Sequence, residues 1–99
     1  MSSTELFDNL INHFKELKVL IQNKPGPYNV KDTMVIEYYR AYNYAAGLIS
    51  NNFSDLVAED YKKNTLVLAP FRENLLIGTE RCIAYLEKLR GLIEEDDEE

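Results

Sequence analysis

His13, the single histidine of this 99-residue chain, is the side chain whose chemistry would be most useful to an enzyme. A histidine on a helix can accept a phosphoryl group, or it can bind a metal ion together with an acidic residue such as Glu16, three positions later. Metal sites in helical bundles need several ligands from different helices, and the chain has no second histidine. We therefore interpret His13 as a residue at the edge of an apolar helix face. A phosphotransfer or other enzymatic module centred on His13 is the alternative.

Cys82, the single cysteine, cannot form a disulfide within the chain. It falls in the middle of an apolar helix face, where burial raises the pKa of a thiol and makes it unreactive. The pattern predicts a structural cysteine rather than a nucleophile that acts with His13.

Tyr38, Arg40 and Tyr44 form the pattern that could bind nucleic acid, because aromatic rings interleaved with a cation can stack on bases. However, Tyr38, Tyr39 and Tyr42 lie within about 100° of arc on one helix face and share that arc with apolar residues. They are therefore predicted to be core residues whose hydroxyls reach the rim of the core. The last six residues are all acidic, and outside them the acidic residues equal the 11 Lys+Arg in number. Nucleic-acid binding is accordingly the less favoured function.

Motifs that would support catalysis are missing from the sequence. It contains no Gly-rich phosphate loop, nucleophile elbow or zinc-finger spacing. The adjacent carboxylates Glu59 and Asp60 diverge on a helix, and Glu59 has the spacing of a solvated ion pair with Lys63. We expect no catalytic residue, no cofactor and no metal ion.

Apolar residues at alternating steps of three and four predict four helices. Ser2 and Glu5 have the spacing of a capping box at the start of the first, and Pro25 and Pro27 follow its end. Asp32 or Thr33 is the expected cap of the second helix, and Ser54 or Asp55 that of the third. The expected spans are 3–22, 33–50, from the Ser54 or Asp55 cap to about 64, and 70–93.

The predicted fold is all-α, a compact bundle of three to four helices in which helices one, two and four pack antiparallel. Residues 65–69 form a short apolar run that periodicity cannot assign, so α+β with a short strand at 65–69 is the alternative. Residues 1–93 are expected to form one helical domain. Residues 94–99 are expected to be a disordered acidic tail.

Ala41, Tyr44 and Leu48 form a second apolar stripe on helix two, about 120° from the main stripe around Tyr42. A helix that is apolar on two sides lies either at the centre of its domain or against another chain. Because a fully surrounded helix is hard to achieve in 99 residues, we expect this stripe to be a self-association surface of a homodimer.

The sequence therefore favours a small non-enzymatic interaction or accessory protein that acts through helical surfaces and self-associates. Motif-free helical domains of this size are common among accessory, regulatory, viral and mobile-element proteins. The first residues lack the features of a signal peptide, and no apolar stretch reaches the roughly 18 residues that span a bilayer. We expect an intracellular, cytoplasmic protein with a protein partner and no membrane association.

Overall fold

The structure is a computed structural model that describes residues 2–26, 28–67 and 71–97. Within these ranges it contains four helices and no strand, so the predicted all-α bundle is confirmed. Residues Leu66 and Val67 follow the third helix without regular structure, while positions 68 and 69 of the proposed strand lie outside the described residues. The helices are α1 (Ser3–Asn23), α2 (Thr33–Asn52), α3 (Asp55–Thr65) and α4 (Arg72–Asp97).

Serine side chains begin two of the helices. The backbone N–H of Glu5 donates to Oγ of Ser2 at 3.2 Å, and the N–H of Val57 donates to Oγ of Ser54 at 3.2 Å. Each serine satisfies one of the backbone donors that the first turn of a helix leaves unpaired. Asp32 precedes α2 but makes no side-chain cap, and its carboxylate accepts a 2.7 Å hydrogen bond from Lys24. That bond holds the pKa of Asp32 below its usual value.

The four helices run alternately up and down. Hydrogen bonds join Ser3 to Asn52, and Asp8 to Arg90. Each bond connects the start of α1 to the end of α2 or α4, which makes both pairs antiparallel, as predicted for helices one, two and four. The α4 helix continues through Asp97, so it includes the first four residues of the acidic run that was expected to follow it.

A chain of aromatic rings crosses the core and fixes the orientation of α2. The ring of Tyr42 stacks on Tyr38 of the same helix and on Tyr61 of α3, with centroids 6.1 Å and 5.1 Å apart. Tyr61 in turn meets Tyr85 of α4 edge-on at 5.5 Å, and Tyr38 meets Phe14 of α1 at 6.3 Å. Contacts of this geometry add specificity to apolar burial, so one side of α2 is held inward against all three other helices.

Tyr38 corrects the expectation that the tyrosine hydroxyls reach the rim of the core. Its side chain is 1% exposed, and its hydroxyl is the buried side-chain oxygen without a hydrogen-bond partner among the described residues. The hydroxyl approaches Gly78 so closely that a Cβ at that position would overlap it. Gly78 therefore has a packing role, because only a glycine lets α4 pass the end of the Tyr38 ring.

Candidate functional site

The structure buries two of the three residues of the expected self-association stripe. Ala41 is 4% exposed and Leu48 is 7% exposed, whereas Tyr44 is 53% exposed. The reason is that α2 packs against α1, α3 and α4, so both of its apolar sides are covered within one chain. The expectation that all three residues are available to a partner was therefore wrong. A charged residue at position 48 would destabilise the monomer itself. Tyr44 is the member of the stripe that a partner could contact.

A groove between α1 and α2 brings together His13, Arg40 and Tyr44, which are candidates for separate functions in the sequence. It has a volume of about 510 Å³. Ala41 and Leu10 are buried at its floor, while Tyr44 and Arg40 are exposed along one wall. His13 lines the groove from the α1 side. We call this feature the α1–α2 groove, and it is lined by Leu6, Asn9, Leu10, His13, Arg40, Ala41 and Tyr44.

Three ionisable side chains meet at the Arg40 end of the groove. Nε2 of His13 lies 3.8 Å from a carboxylate oxygen of Glu37, and Nη1 of Arg40 lies 3.5 Å from the other oxygen. The Arg40 side chain is 74% exposed, so its pairing with Glu37 is a solvated surface contact. Arg40 and Glu37 carry opposite charges, so this pair adds no net charge at that end of the groove.

The exposed side of α2 is poor in charge compared with the other helices. Glu37 and Arg40 are the charged residues among the 20 of α2. By contrast, five of 11 residues are charged in α3 and eleven of 26 in α4. We call the exposed residues at the centre of this side the outer face of α2, and they are Ile36, Arg40, Asn43, Tyr44 and Gly47. Tyrosine and arginine are enriched in protein interfaces while lysine and glutamate are depleted, so this composition is typical of a contact surface.

Gly47 shows no packing role among the residues that the structure describes. A Cβ built at this position would meet none of them within 4 Å. Glycine in the middle of a helix costs about 1 kcal/mol relative to alanine, and no close approach among these residues compensates for that cost. The open space above Gly47 adjoins Tyr44 and Leu48, where a further depression extends the α1–α2 groove.

The remaining candidate residues do not form a reactive centre. Cys82 is fully buried, as predicted, and burial raises the pKa of its thiol. The hydroxyl of Tyr61 lies 3.5 Å from the Cys82 sulfur, whereas His13 lines the groove on the other helix pair. Tyr38 is buried, so it cannot stack on a base together with Arg40 and Tyr44. Over the residues that the structure describes, no three potential metal ligands lie together.

Comparisons with known proteins give no indication of function, so the geometry of the surface is the guide to it. No protein-family model, no curated protein and no solved structure matches the chain. Across the described ranges, none of the helices combines the length and apolar character needed to cross a membrane.

Proposed function

We propose that this chain is a non-enzymatic interaction protein that forms a homodimer through the outer face of α2 and the adjoining α1–α2 groove. The observation that carries the proposal is the outer face itself, which exposes Ile36 and Tyr44 but only one full charge, Arg40. Surfaces without a partner are normally covered with mixed charges, as α4 is on its exposed side at Glu80, Arg81, Glu87 and Lys88.

The surroundings of His13 favour this function over phosphotransfer. A phosphoryl group on Nε2 would stand next to the Glu37 carboxylate, which lies 3.8 Å from that nitrogen. Repulsion between the two anionic groups opposes the modification. The groove floor is also apolar, and among the described residues that line the groove none adds a further acid or base to His13 and Glu37.

A second copy of the chain fits the outer face because the one full charge on that face, Arg40, is balanced by Glu37 at its edge. Arg40 and Glu37 are adjacent and of opposite charge, so two copies related by a two-fold axis meet without net repulsion. The contact is small, because α2 has 20 residues and presents a strip about 30 Å long and about 10 Å wide. Two such strips bury about 600 Å² in total, which is below the roughly 1,200 Å² of stable specific interfaces, so the dimer should be weak and should form reversibly.

Sedimentation equilibrium with matched variants tests the proposal. Wild-type protein should shift from the 11.5 kDa monomer toward twice that mass between about 10 µM and about 1 mM, the range expected for a small interface. Tyr44→Glu should remain monomeric, because it places a charge on the outer face. Ile77→Glu is the control, since Ile77 is similarly exposed, at 43%, but lies on α4. A wild-type protein that stays monomeric throughout, or a control that dissociates as readily as Tyr44→Glu, would contradict the proposal.

A further inference from the structure

The direction of the two α2 helices in the dimer follows from the position of the acidic run. Residues 94–99 are all acidic. The first four of them form the end of α4, and this end lies beside the start of α1, because Arg90 binds Asp8. The start of α1 in turn contacts the end of α2 through Ser3 and Asn52. A parallel pair would gather both acidic runs at one end, whereas an antiparallel pair separates them by about 30 Å, several Debye lengths.

The register of an antiparallel pair is restricted by the spacing of the outer face. The outer face comprises positions 36, 40, 43, 44 and 47 of α2. Two antiparallel registers each bring four of these five positions opposite outer-face positions of a second copy, and every other register brings fewer. In one, Arg40 opposes Asn43 of the second copy, and the two arginines lie only about 4.5 Å apart along the helices. In the other, Arg40 opposes Gly47 of the second copy, and the arginines are about 10 Å apart.

Charge and space both favour the second register. A separation of about 10 Å equals one Debye length, so the two arginines are largely screened from each other. The open space above Gly47 can hold the aliphatic stem of an arginine while its guanidinium stays in water. Asn43 then lies next to the two-fold axis, where a polar residue helps to fix register.

Resting on the proposed self-association, we infer that two copies pack α2 against α2 antiparallel, with the two-fold axis between Asn43 and Tyr44 and with Arg40 of each copy over Gly47 of the other. This geometry explains why a helix-weakening glycine occupies position 47. The space above Gly47 of one copy holds the long Arg40 side chain of the other, so the two helices approach closely at their centres.

Cysteine cross-linking of the full chain tests the geometry. Asn43→Cys should form a disulfide-linked dimer under mild oxidation, because helices that approach closely at this axis bring the two Cα atoms within the roughly 4.4–6.8 Å that a disulfide needs. Gly47→Cys should not cross-link, since its two copies lie about 10 Å apart along the helices. Ala84→Cys, exposed on α4, is the surface control. The buried Cys82 of the wild type gives the background.

The outcomes of the cross-linking distinguish a wrong dimer geometry from a failure of the chain to self-associate. Linking at position 43 alone supports the inference, and linking at both 43 and 47 indicates a parallel pair and overturns it. If neither position links while wild-type protein still dimerises in the centrifuge, the geometry is wrong but self-association stands. If wild-type protein is monomeric, the proposed function itself fails.

A substitution that adds one methyl group provides an independent check. Gly47→Ala should weaken dimerisation about tenfold or more, because its Cβ occupies the space assigned to Arg40 of the second copy. Gly91→Ala is the matched control, since a Cβ there also meets nothing within 4 Å. Equal dimerisation of the two variants would overturn the contact between Arg40 and Gly47.

Discussion

Replacing Gly78 with alanine probes the close contact between α2 and α4. The new Cβ would overlap the Tyr38 hydroxyl and would lie 2.7 Å from Cγ2 of Val67. The Tyr38 ring has little freedom to move, because it is packed edge-on against Phe14 and stacked on Tyr42. Overpacking of this kind costs about 1–3 kcal/mol, against a gain in helix propensity of about 1 kcal/mol. We expect a net loss of up to about 2 kcal/mol in the free energy of unfolding.

Removing the Tyr38 hydroxyl should relieve much of that loss. Tyr38→Phe deletes a buried oxygen that makes no hydrogen bond of good geometry among the described residues, so the single variant should be at least as stable as the wild type. In the Tyr38→Phe background, the cost of Gly78→Ala should fall by about 1 kcal/mol, within the range of coupling energies for residues in contact. The relief is partial, because the contact with Val67 remains.

Urea unfolding followed by far-ultraviolet circular dichroism measures these differences, since the chain has no tryptophan to report on the core. Tyr61→Phe is the matched control. Its hydroxyl donates a 3.2 Å hydrogen bond to the carbonyl oxygen of Tyr42, and losing that bond should cost about 1 kcal/mol. A Tyr38→Phe variant destabilised as much as Tyr61→Phe would refute the reasoning, as would a Gly78→Ala variant more stable than the wild type.

Four further outcomes are expected of the monomer. Burial raises the pKa of Tyr38, so the folded state keeps a proton that the unfolded chain loses in alkaline solution. The free energy of unfolding should therefore fall as the pH rises above about 10, by up to about 1.4 kcal/mol per pH unit for each such group. Melts of Tyr38→Phe across this range should show a shallower decline. Thiol reagents should label Cys82 far more slowly than a free peptide, and Cys82→Ala should cost about 1 kcal/mol. Deleting residues 94–99 should leave the free energy of unfolding within about 0.5 kcal/mol and lower the solubility. His13→Gln should leave the fold intact and the free energy of unfolding within about 0.5 kcal/mol of the wild-type value.

The helices could be predicted from the sequence because each has a strong local signal. Apolar residues recur at helical spacing on α1 and α4, and serines at positions 2 and 54 mark two helix starts. These patterns depend on residues a few positions apart, so periodicity and capping rules apply directly. Helix boundaries agree to within about two residues, apart from the end of α4, which extends into the acidic run.

The candidate site was harder to predict because it depends on contacts between distant segments. The sequence indicated that α2 is apolar on two sides, but not that α2 packs against all three other helices and that Ala41 and Leu48 are buried within one chain. The groove between α1 and α2 brings His13 next to Glu37, and helical periodicity cannot pair those residues. The contact between Tyr38 and Gly78 likewise arises across the bundle. For Tyr44, the sequence and the structure agree that the aromatic ring is accessible to a partner.

Nuclear magnetic resonance of the wild-type protein tests most directly whether the chain self-associates through α2. Amide spectra would be compared between about 10 µM and about 1 mM, the range expected for a small interface. The resonances that move with concentration should belong to the outer face of α2 and to the α1–α2 groove, above all Arg40, Asn43, Tyr44 and Gly47. Spectra that do not change with concentration, or changes centred on the exposed side of α4, would contradict the account.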